Sequence, residues 1–461
     1  MTLLLEIYLL LFSVLFLFLS LGKGGKSLFL PARILSLGAI AVSLITLNAN
    51  GLLFYGAYQV DAFSQIFKLI LTIGLTFVVF MFTKDDEIDN MPEFFMFLGL
   101  STLGLTVLVS SVELLSILIS LEISSFSLYA IVPLRRSRTA GHLEAAIKYL
   151  FFGAVATGVM LYGMGYLYAM THSTYLVDIV AKMPAFIDKP LGILALILTM
   201  TAFFFKLSLF PLHFWAPDIY EGASDATTTF IATVPKVAGA ALLIRLTMLT
   251  GAPLPQLAMV LMVLAAFSMT IGNLAGLVQQ DVKRLLGYSG IAHAGYLMLG
   301  LLAFNKSGNA VVAYYITVYL FMNLSLFYVV MLLSRNGENL KVGDLAGLAR
   351  RSPLVAFTLA VAAFSLAGIP PTGGFTGKFF LLVTAFKAGH LPIVIIAAVN
   401  TVISIFYYLN LVRVSYSREA KEDLPLKLAF SEKILCIAFS VIILVLGIIP
   451  LSVMEMFTRV M

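Results

Sequence analysis

The sequence predicts an all-α integral membrane protein with about 14 transmembrane helices, and two observations support this fold class. Of the 461 residues, 61% are hydrophobic and only 11% are charged, and the mean hydropathy is +1.03. Soluble domains carry about 25% charged residues. Apolar runs also follow one another along the chain, and a bilayer crossing needs roughly 20 such residues. Most of the chain must therefore lie in the lipid bilayer.

Each predicted helix is an apolar run that ends at turn-forming residues. The first run carries Glu6 and lacks a basic segment ahead of it, so it is predicted to be a retained helix and not a cleaved signal peptide. The helices are expected near residues 2–21, 28–49, 58–82, 94–110, 112–133, 141–171, 190–215, 226–251, 255–278, 282–304, 308–334, 352–389, 391–416 and 431–457.

Two of these runs contain a predicted break. The run at 352–389 is too long for one crossing and contains GIPPTGG, and the run near 190–222 is interrupted by FPLHFWAPD. Because proline removes a backbone donor, helix breaks are predicted at Pro211, Pro370 and Pro371 in these two runs. A further break is predicted at Pro235, in the run at 226–251. Broken helices at membrane depth are tolerated inside protein or along a wet cavity. Two of them in corresponding halves of a chain indicate an internal repeat and a transport site.

The loop charges predict the orientation. Basic residues are concentrated in alternate loops, which places those loops on the inner side and both termini on the outer side. The inner loops hold Lys23, Lys26, Arg33, Lys84, Arg135, Arg136, Arg138, Lys283, Arg284, Arg335, Lys341, Arg350, Arg351, Arg413, Arg418, Lys421, Lys427 and Lys433. The outer side holds Lys182, Lys189, Lys306, Lys387 and Arg459. Topology therefore accounts for the net charge of +6, and no nucleic-acid partner is predicted.

A second set of ionisable side chains lies inside the apolar runs. A charge at the bilayer centre costs at least ~3 kcal/mol on insertion scales, so such residues face a partner or water and often mark an ion pathway. A poorly hydrated lysine loses its proton more readily, and a nearby carboxylate opposes that loss. Five residues are expected at one depth and form a predicted proton pathway: Glu122, Lys206, Lys236, His293 and Lys378.

Four further charges lie in the predicted helices. Glu144 and Lys148 are four residues apart, so they share a helix face and can pair. Lys148 is close enough to the other five to join the proton pathway. Glu144, Lys68 and Arg245 are interpreted as structural or accessory.

The remaining chemistry of the chain excludes several functions. Its one cysteine, Cys436, cannot form a disulfide framework, a CxxC pair or an iron–sulfur site. The sequence holds no Walker loop, no Rossmann glycine pattern and no metal-ligand cluster, so no metal and no cofactor-binding residue is predicted. Three acidic residues follow the first predicted break, namely Asp218, Glu221 and Asp225. They are expected in a solvated loop, with a proton entrance route as the alternative.

Six segments of the chain resemble a known protein family. They are SLEISSFSLYA (120–130), LEAAIKYLFFGA (143–154), FFFKLSLFPLHFWAPDIYEGA (203–223), TTTFIATVPKVA (227–238), DVKRLLGYSGIAHAGYL (281–297) and SLAGIPPTGGFTGKFFLL (365–382). Together they are similar to the antiporter-like membrane subunits of respiratory complex I and to the related Mrp-type cation/proton antiporter subunits. The resemblance runs in order from about residue 55 to about residue 415.

Within that family the chain is most similar to the subunit N type of NADH-quinone oxidoreductase, because the second broken helix carries Lys378 where the M type usually has glutamate. The resemblance implies two inverted five-helix repeats at 94–251 and 255–416, each containing a broken helix, with a three-helix segment at 1–93 before them and a final helix within 417–461. It also implies proton-path roles for Glu122, Lys148, Lys206, Lys236, His293 and Lys378.

The family resemblance also implies which partner subunits the chain has and in which membrane it lies. Its partners would be other membrane subunits of complex I, including paralogous antiporter-like subunits. NADH, FMN, iron–sulfur clusters and quinone would be bound by those partner subunits, with no cofactor in this chain. The location would be an energy-transducing membrane, the bacterial cytoplasmic membrane.

Three functions follow from these patterns. The first is a proton-translocating subunit of a redox-driven complex, in which Glu122 receives the driving electrostatic signal from a neighbouring subunit. The second is a Mrp-type cation/proton antiporter subunit, or the paralogous M-type or L-type subunit. The third is a scaffold subunit that has lost transport. Because the row is mostly lysine and sodium prefers oxygen ligands, the pattern favours protons.

Overall fold

The computed structural model describes residues 1–22, 28–82, 88, 90–136, 140–250, 254–334, 338–417 and 425–461. Some of the predicted inner-side cations lie outside the described residues, namely Lys23, Lys26, Lys84, Arg138, Arg335, Arg418 and Lys421. The helices of the first half are α1 Leu4–Leu21, α2 Phe29–Ile45, α3 Ala62–Met81, α4 Met91–Ser110, α5 Leu114–Ile131, α6 Ala140–Thr171, α7 Leu176–Lys182, α8 Pro190–Leu207, α9 Trp215–Gly222 and α10 Asp225–Thr250.

The described residues of the second half form nine further helices. They are α11 Pro255–Leu277, α12 Val282–Leu301, α13 Lys306–Leu333, α14 Leu348–Arg351, α15 Pro353–Ala367, α16 Gly373–Lys387, α17 Leu391–Ser417, α18 Phe430–Ile448 and α19 Pro450–Val460. Among the described residues, 11 helices are long and apolar enough to cross a membrane, and α2 and α15 are shorter apolar helices. With the 20-residue α12, and with α15 and α16 as one broken crossing, the described helices account for the predicted 14.

The chain divides into two compact units. The first unit contains Met1–Leu207 and Gly222–Met259, and the second contains Ser208–Glu221 and Val260–Arg459. Each unit is built around one helix that its neighbours bury along almost its whole length. In the first unit this helix is α10, which contacts α3, α4 and α8. In the second unit it is α13, which contacts α12, α15, α16 and α18.

Several local predictions are corrected by the structure. A two-stranded antiparallel hairpin, β1 Gly51–Leu53 and β2 Tyr58–Val60, precedes α3, so the chain is not helical throughout. The final predicted helix is two helices, because Pro450 has no backbone donor and opens α19 as its first residue. Pro235 was predicted to break a helix, and this prediction is wrong. Pro235 lies inside the continuous α10. The helices packed around α10 keep this segment helical although proline cannot donate a backbone hydrogen bond.

The breaks at Pro211 and at Pro370–Pro371 are confirmed. The first lies between the end of α8 at Leu207 and the start of α9 at Trp215. In the second, α15 ends at Gly368, whose φ of +86° lies in the left-handed region that favours glycine. The hydroxyl of Ser365 accepts a hydrogen bond from the backbone N–H of Gly374 at 2.9 Å, which attaches the first turn of α16 to α15.

Candidate functional site

The first unit places a carboxylate and a lysine on neighbouring helices. Glu122 of α5 is half-buried, and its Oε1 accepts a hydrogen bond from the Thr157 hydroxyl of α6 at 2.5 Å. Lys206, the penultimate residue of α8, is 4% exposed and donates to the Ser125 hydroxyl at 3.2 Å. Ser125 lies one turn after Glu122 on α5, so a neutral hydroxyl stands beside both charges. The structure therefore brings Glu122 and Lys206 together, as the sequence predicted.

The remaining lysines of the first unit differ in their exposure. Lys236 follows Pro235 inside α10 and is 2% exposed. Lys148 pairs with Glu144 at 2.7 Å, which confirms the predicted pair on α6, but both side chains are substantially exposed in this chain. A buried lysine exchanges protons only with groups inside the protein, whereas the Glu144–Lys148 face of α6 is open to a neighbour.

In the second unit, His293 lies between two tyrosine hydroxyls. Its Nδ1 is 2.6 Å from the hydroxyl of Tyr315 on α13, and its Nε2 is 3.1 Å from the hydroxyl of Tyr408 on α17. Tyr408 shares a further hydrogen bond with the Ser289 hydroxyl, one turn before His293 on α12. A neutral imidazole has one donor and one acceptor nitrogen. The ring can therefore receive a proton on one side and release one on the other.

Lys378 occupies the second helix break. Its Nζ donates to the main-chain carbonyls of Leu366 and Ala367 at 2.7 and 3.3 Å. These carbonyls belong to the last turn of α15, where no further helical N–H reaches them. The same Nζ lies 4.8 Å from the ring centroid of Tyr296, which is 6.2 Å from the His293 ring. Tyr296 thus separates Lys378 from His293, and the acceptors described for Lys378 are neutral.

Two buried ion pairs of the first unit lie apart from these groups. Lys68 of α3 contacts Glu6 of α1 at 2.7 Å, and the Tyr58 hydroxyl donates to the same Glu6 oxygen at 2.7 Å. Arg245 of α10 contacts both carboxylate oxygens of Asp61 at 2.6 and 3.0 Å. Sequence reasoning treated Lys68 and Arg245 as structural or accessory but could not name their partners, which are distant in sequence.

Asp61 gives a pH-dependent prediction, because it lies just before the α3 span and caps that helix through the Ser64 N–H at 2.8 Å. Burial raises the pKa of Asp61, but the hydrogen bonds and charge of Arg245 outweigh it and hold the pKa below 3.8. A carboxylate whose folded pKa is depressed stabilises the fold above its unfolded pKa, and that stability is lost as the pH falls.

We expect Asp61→Asn to lower the thermal midpoint of the purified chain near neutral pH, since asparagine still caps the helix while Arg245 loses its counter-charge. The loss is roughly 1–3 kcal/mol, between the values for an exposed pair and for a fully buried one. The variant should also lose less stability than the parent between about pH 5 and about pH 3. Asp178→Asn, at an exposed carboxylate of α7, is the control. Equal acid sensitivity in parent and Asp61→Asn would contradict the assignment.

Asp218 and Glu221 are placed differently from the prediction of a solvated loop. Both lie on α9, and Arg284 of α12 contacts them at 2.9 and 2.7 Å. The structure therefore ties the short helix after the first break to the start of the helix that carries His293. An eight-residue helix is too short to show a periodicity that predicts it.

The chemistry available to these groups is that of weak acids and bases. Lysine, histidine, tyrosine and glutamate can hold or pass a proton without forming a covalent bond. Within the described ranges, no group of three or more His, Cys, Asp or Glu residues could hold a metal ion.

Comparison with known proteins identifies the family of the chain. Residues 111–404 match the family described as "NADH:quinone oxidoreductase/Mrp antiporter, TM". The chain is 44% identical over 437 residues to NADH-quinone oxidoreductase subunit N 2 of Opitutus terrae, covering 93% of this chain and 91% of the relative. It is 46% identical over 418 residues to the protein of the same name from Solidesulfovibrio magneticus, covering 90% and 88%.

Solved structures show the same architecture. A chain of respiratory complex I from Thermus thermophilus with bound aureothin superposes with a TM-score of 0.85 at 32% identity, covering 98% of both chains. A chain of the Mrp complex from Dietzia superposes with a TM-score of 0.86 at 19% identity, covering 100% of this chain and 96% of that one, which shows the fold alone.

Fold and site together define a multi-pass membrane protein of the antiporter-like class, with ionisable side chains buried among its helices. The chain belongs to the NADH:quinone oxidoreductase/Mrp antiporter transmembrane family. Within the family, the relatives named here are subunits N of NADH-quinone oxidoreductase.

Proposed function

We propose that this chain is the proton-translocating subunit N of an NADH-quinone oxidoreductase, a translocase driven by redox chemistry in other subunits. The observation that carries the proposal is the burial of Lys206 and Lys378 against neutral hydrogen-bond acceptors. A charge without a fixed counter-charge can be gained or lost at lower cost than one in a tight ion pair. The subunit N names of the relatives favour this function over a Mrp-type antiporter or an M-type or L-type subunit.

The proposed pathway uses the residues identified from the sequence. Protons are taken up from the inner side at Lys206 and Lys236, pass through water and His293, and leave outward by Lys378. Glu122 receives the electrostatic signal of the neighbouring subunit, and Lys148 on the exposed face of α6 takes part in the same relay. Proton transfer needs a continuous chain of donors and acceptors, and the hydroxyls beside Lys206 and His293 support this route.

The remaining expectations belong to the same proposal. The pathway lies in two inverted five-helix repeats at 94–251 and 255–416, flanked by segments 1–93 and 417–461. The membrane is the bacterial cytoplasmic membrane, with both termini outside, so a carboxy-terminal epitope tag should be digested by protease added to the outer face only. NADH, FMN, iron–sulfur clusters and quinone are bound by partner subunits, among them paralogous antiporter-like subunits.

Two variants of the assembled complex test the function. We expect Lys206→Ala and Glu122→Ala each to lower proton pumping at least about tenfold, since a lost proton-transfer group costs typically 10²–10⁴-fold. Pumping is measured with a pH-sensitive dye in membrane vesicles, and quinone reduction is measured in parallel. Lys427→Ala, at an exposed lysine before α18, is the control. Normal pumping in both Lys206→Ala and Glu122→Ala would exclude the proposed function and favour a scaffold subunit.

A further inference from the structure

The second unit contains a groove that the proposed pathway does not use. Its volume is about 680 Å³, and it lies where α11 ends, α12 begins and α17 approaches its last turns. Its polar lining includes Gln279, Gln280, Asn410 and Arg413, and its apolar lining includes Phe364 and Ile405. At about 30 Å³ of liquid volume per molecule, a space of this size holds on the order of twenty waters. The carboxamide and guanidinium groups supply the hydrogen bonds that such waters need.

The groove reaches a buried tyrosine. Tyr407 lines it although only 4% of its surface is exposed, and its hydroxyl donates to Oδ1 of Asn273 at 3.0 Å. The amide of Asn273 donates in turn to Oδ1 of Asn400 at 3.1 Å. These polar groups lie among apolar helices and hydrogen-bond one another, which meets the requirement that buried polar groups in a membrane have partners.

From Tyr407 the polar side chains continue to the histidine. The ring centroids of Tyr407 and Tyr408 are 4.3 Å apart, so the two residues are in contact. The Tyr408 hydroxyl lies 3.1 Å from Nε2 of His293, whose Nδ1 lies 2.6 Å from the Tyr315 hydroxyl. A tyrosine between the groove and the histidine can donate its own proton to Nε2 while it accepts one from the groove side. Its hydroxyl then remains neutral throughout the transfer.

We propose that this groove is a water-filled entrance through which protons reach His293 directly, without first passing Lys206 or Lys236. The inference rests on the proposed function and adds a route to it. The mouth of the groove lies beside Arg413 and beside the loop before α12, which the loop charges assign to the inner, proton-uptake side. Arg413 donates to Oδ1 of Asn410 at 3.0 Å, so the basic group is fixed at the rim and does not extend along the floor.

Cysteine accessibility in the assembled complex tests this entrance. The chain has one natural cysteine, so the background is Cys436→Ala. Ile405→Cys places a thiol in the groove, and Val402→Cys places one on an exposed, apolar part of the same helix outside it. Inner-side-out vesicles are treated with a membrane-impermeant methanethiosulfonate that carries a trimethylammonium group. We expect Ile405→Cys to react at least about tenfold faster, because thiolate forms only where water reaches the sulfur.

The labelled complexes are then assayed for pumping. We expect modified Ile405→Cys to pump at most about a tenth as fast as its unmodified form, while the complex with the Cys436→Ala chain is unchanged by the reagent. If Ile405→Cys does not assemble, Leu409→Cys, which also lines the groove, replaces it. Equal slow labelling at both positions, or normal pumping after complete labelling, overturns the entrance. The proposed function fails separately, if Lys206→Ala and Glu122→Ala pump normally.

Discussion

Replacing Lys378 by arginine is expected to stop proton pumping as completely as replacing it by methionine. The Nζ of Lys378 donates to the Leu366 and Ala367 carbonyls at the end of α15, which is the negative end of the helix dipole. An arginine would keep the positive charge and donate to the same carbonyls. It cannot release a proton in a protein, because a guanidinium group stays protonated. Methionine keeps the length of the side chain and removes the charge.

The two substitutions therefore separate two roles of Lys378. If the charge only holds the broken helix together, arginine should preserve pumping and methionine should impair it. If the ammonium group must lose its proton in each cycle, both variants should lower pumping at least about tenfold, in line with the loss of an acid–base group. Lys387→Arg, at an exposed lysine on the same helix, controls for the substitution itself.

The measurement is made on the assembled complex in vesicles, with the content of this chain checked on native gels. Pumping is followed together with quinone reduction, so that a complex that fails to assemble is not mistaken for one that fails to transfer protons. An arginine variant that pumps at the parental rate would assign Lys378 a structural role and leave Lys206 as the principal buried lysine of the proposed relay.

The crossing helices were predictable because the bilayer imposes one simple requirement. Each crossing needs a run of apolar residues, and the chain shows these runs and the GIPPTGG interruption directly. The effect of Pro235 was not predictable in the same way. Whether a proline breaks a helix depends on the neighbours that pack around the missing hydrogen bond, and α10 is enclosed by helices that are distant in sequence.

The residues that contact the buried ionisable groups could also not be identified from the sequence. His293 was identified from its position inside an apolar run, but its partners Tyr315 and Tyr408 lie 22 and 115 residues away. A tyrosine is common in membrane helices and gives no signal of its own in one sequence. Glu6 was noted only as a charge in the first helix, although it is the counter-charge of Lys68.

The pair of Glu6 and Lys68 gives the largest expected effect on stability. Their side chains are 8% and 1% exposed, and the Tyr58 hydroxyl binds the same carboxylate oxygen. Removing one member of a buried ion pair costs about 3–5 kcal/mol, because the other charge stays buried without compensation. We expect Lys68→Met to lower the free energy of unfolding of the full chain in detergent micelles by this amount, measured by titration with sodium dodecyl sulfate.

A double-mutant cycle distinguishes an ion pair from two independent residues. The double variant Glu6→Gln with Lys68→Met removes both charges, and the glutamine can still accept from Tyr58, so most of the stability should return. The exposed pair of Glu144 and Lys148, with the same 2.7 Å contact, is the matched control and should show a coupling of at most about 0.5 kcal/mol. The prediction is contradicted if the coupling free energy of the buried pair is no larger than that of the exposed pair. In that case burial does not strengthen the interaction of Lys68 with Glu6, and apolar packing stabilises the N-terminal helices.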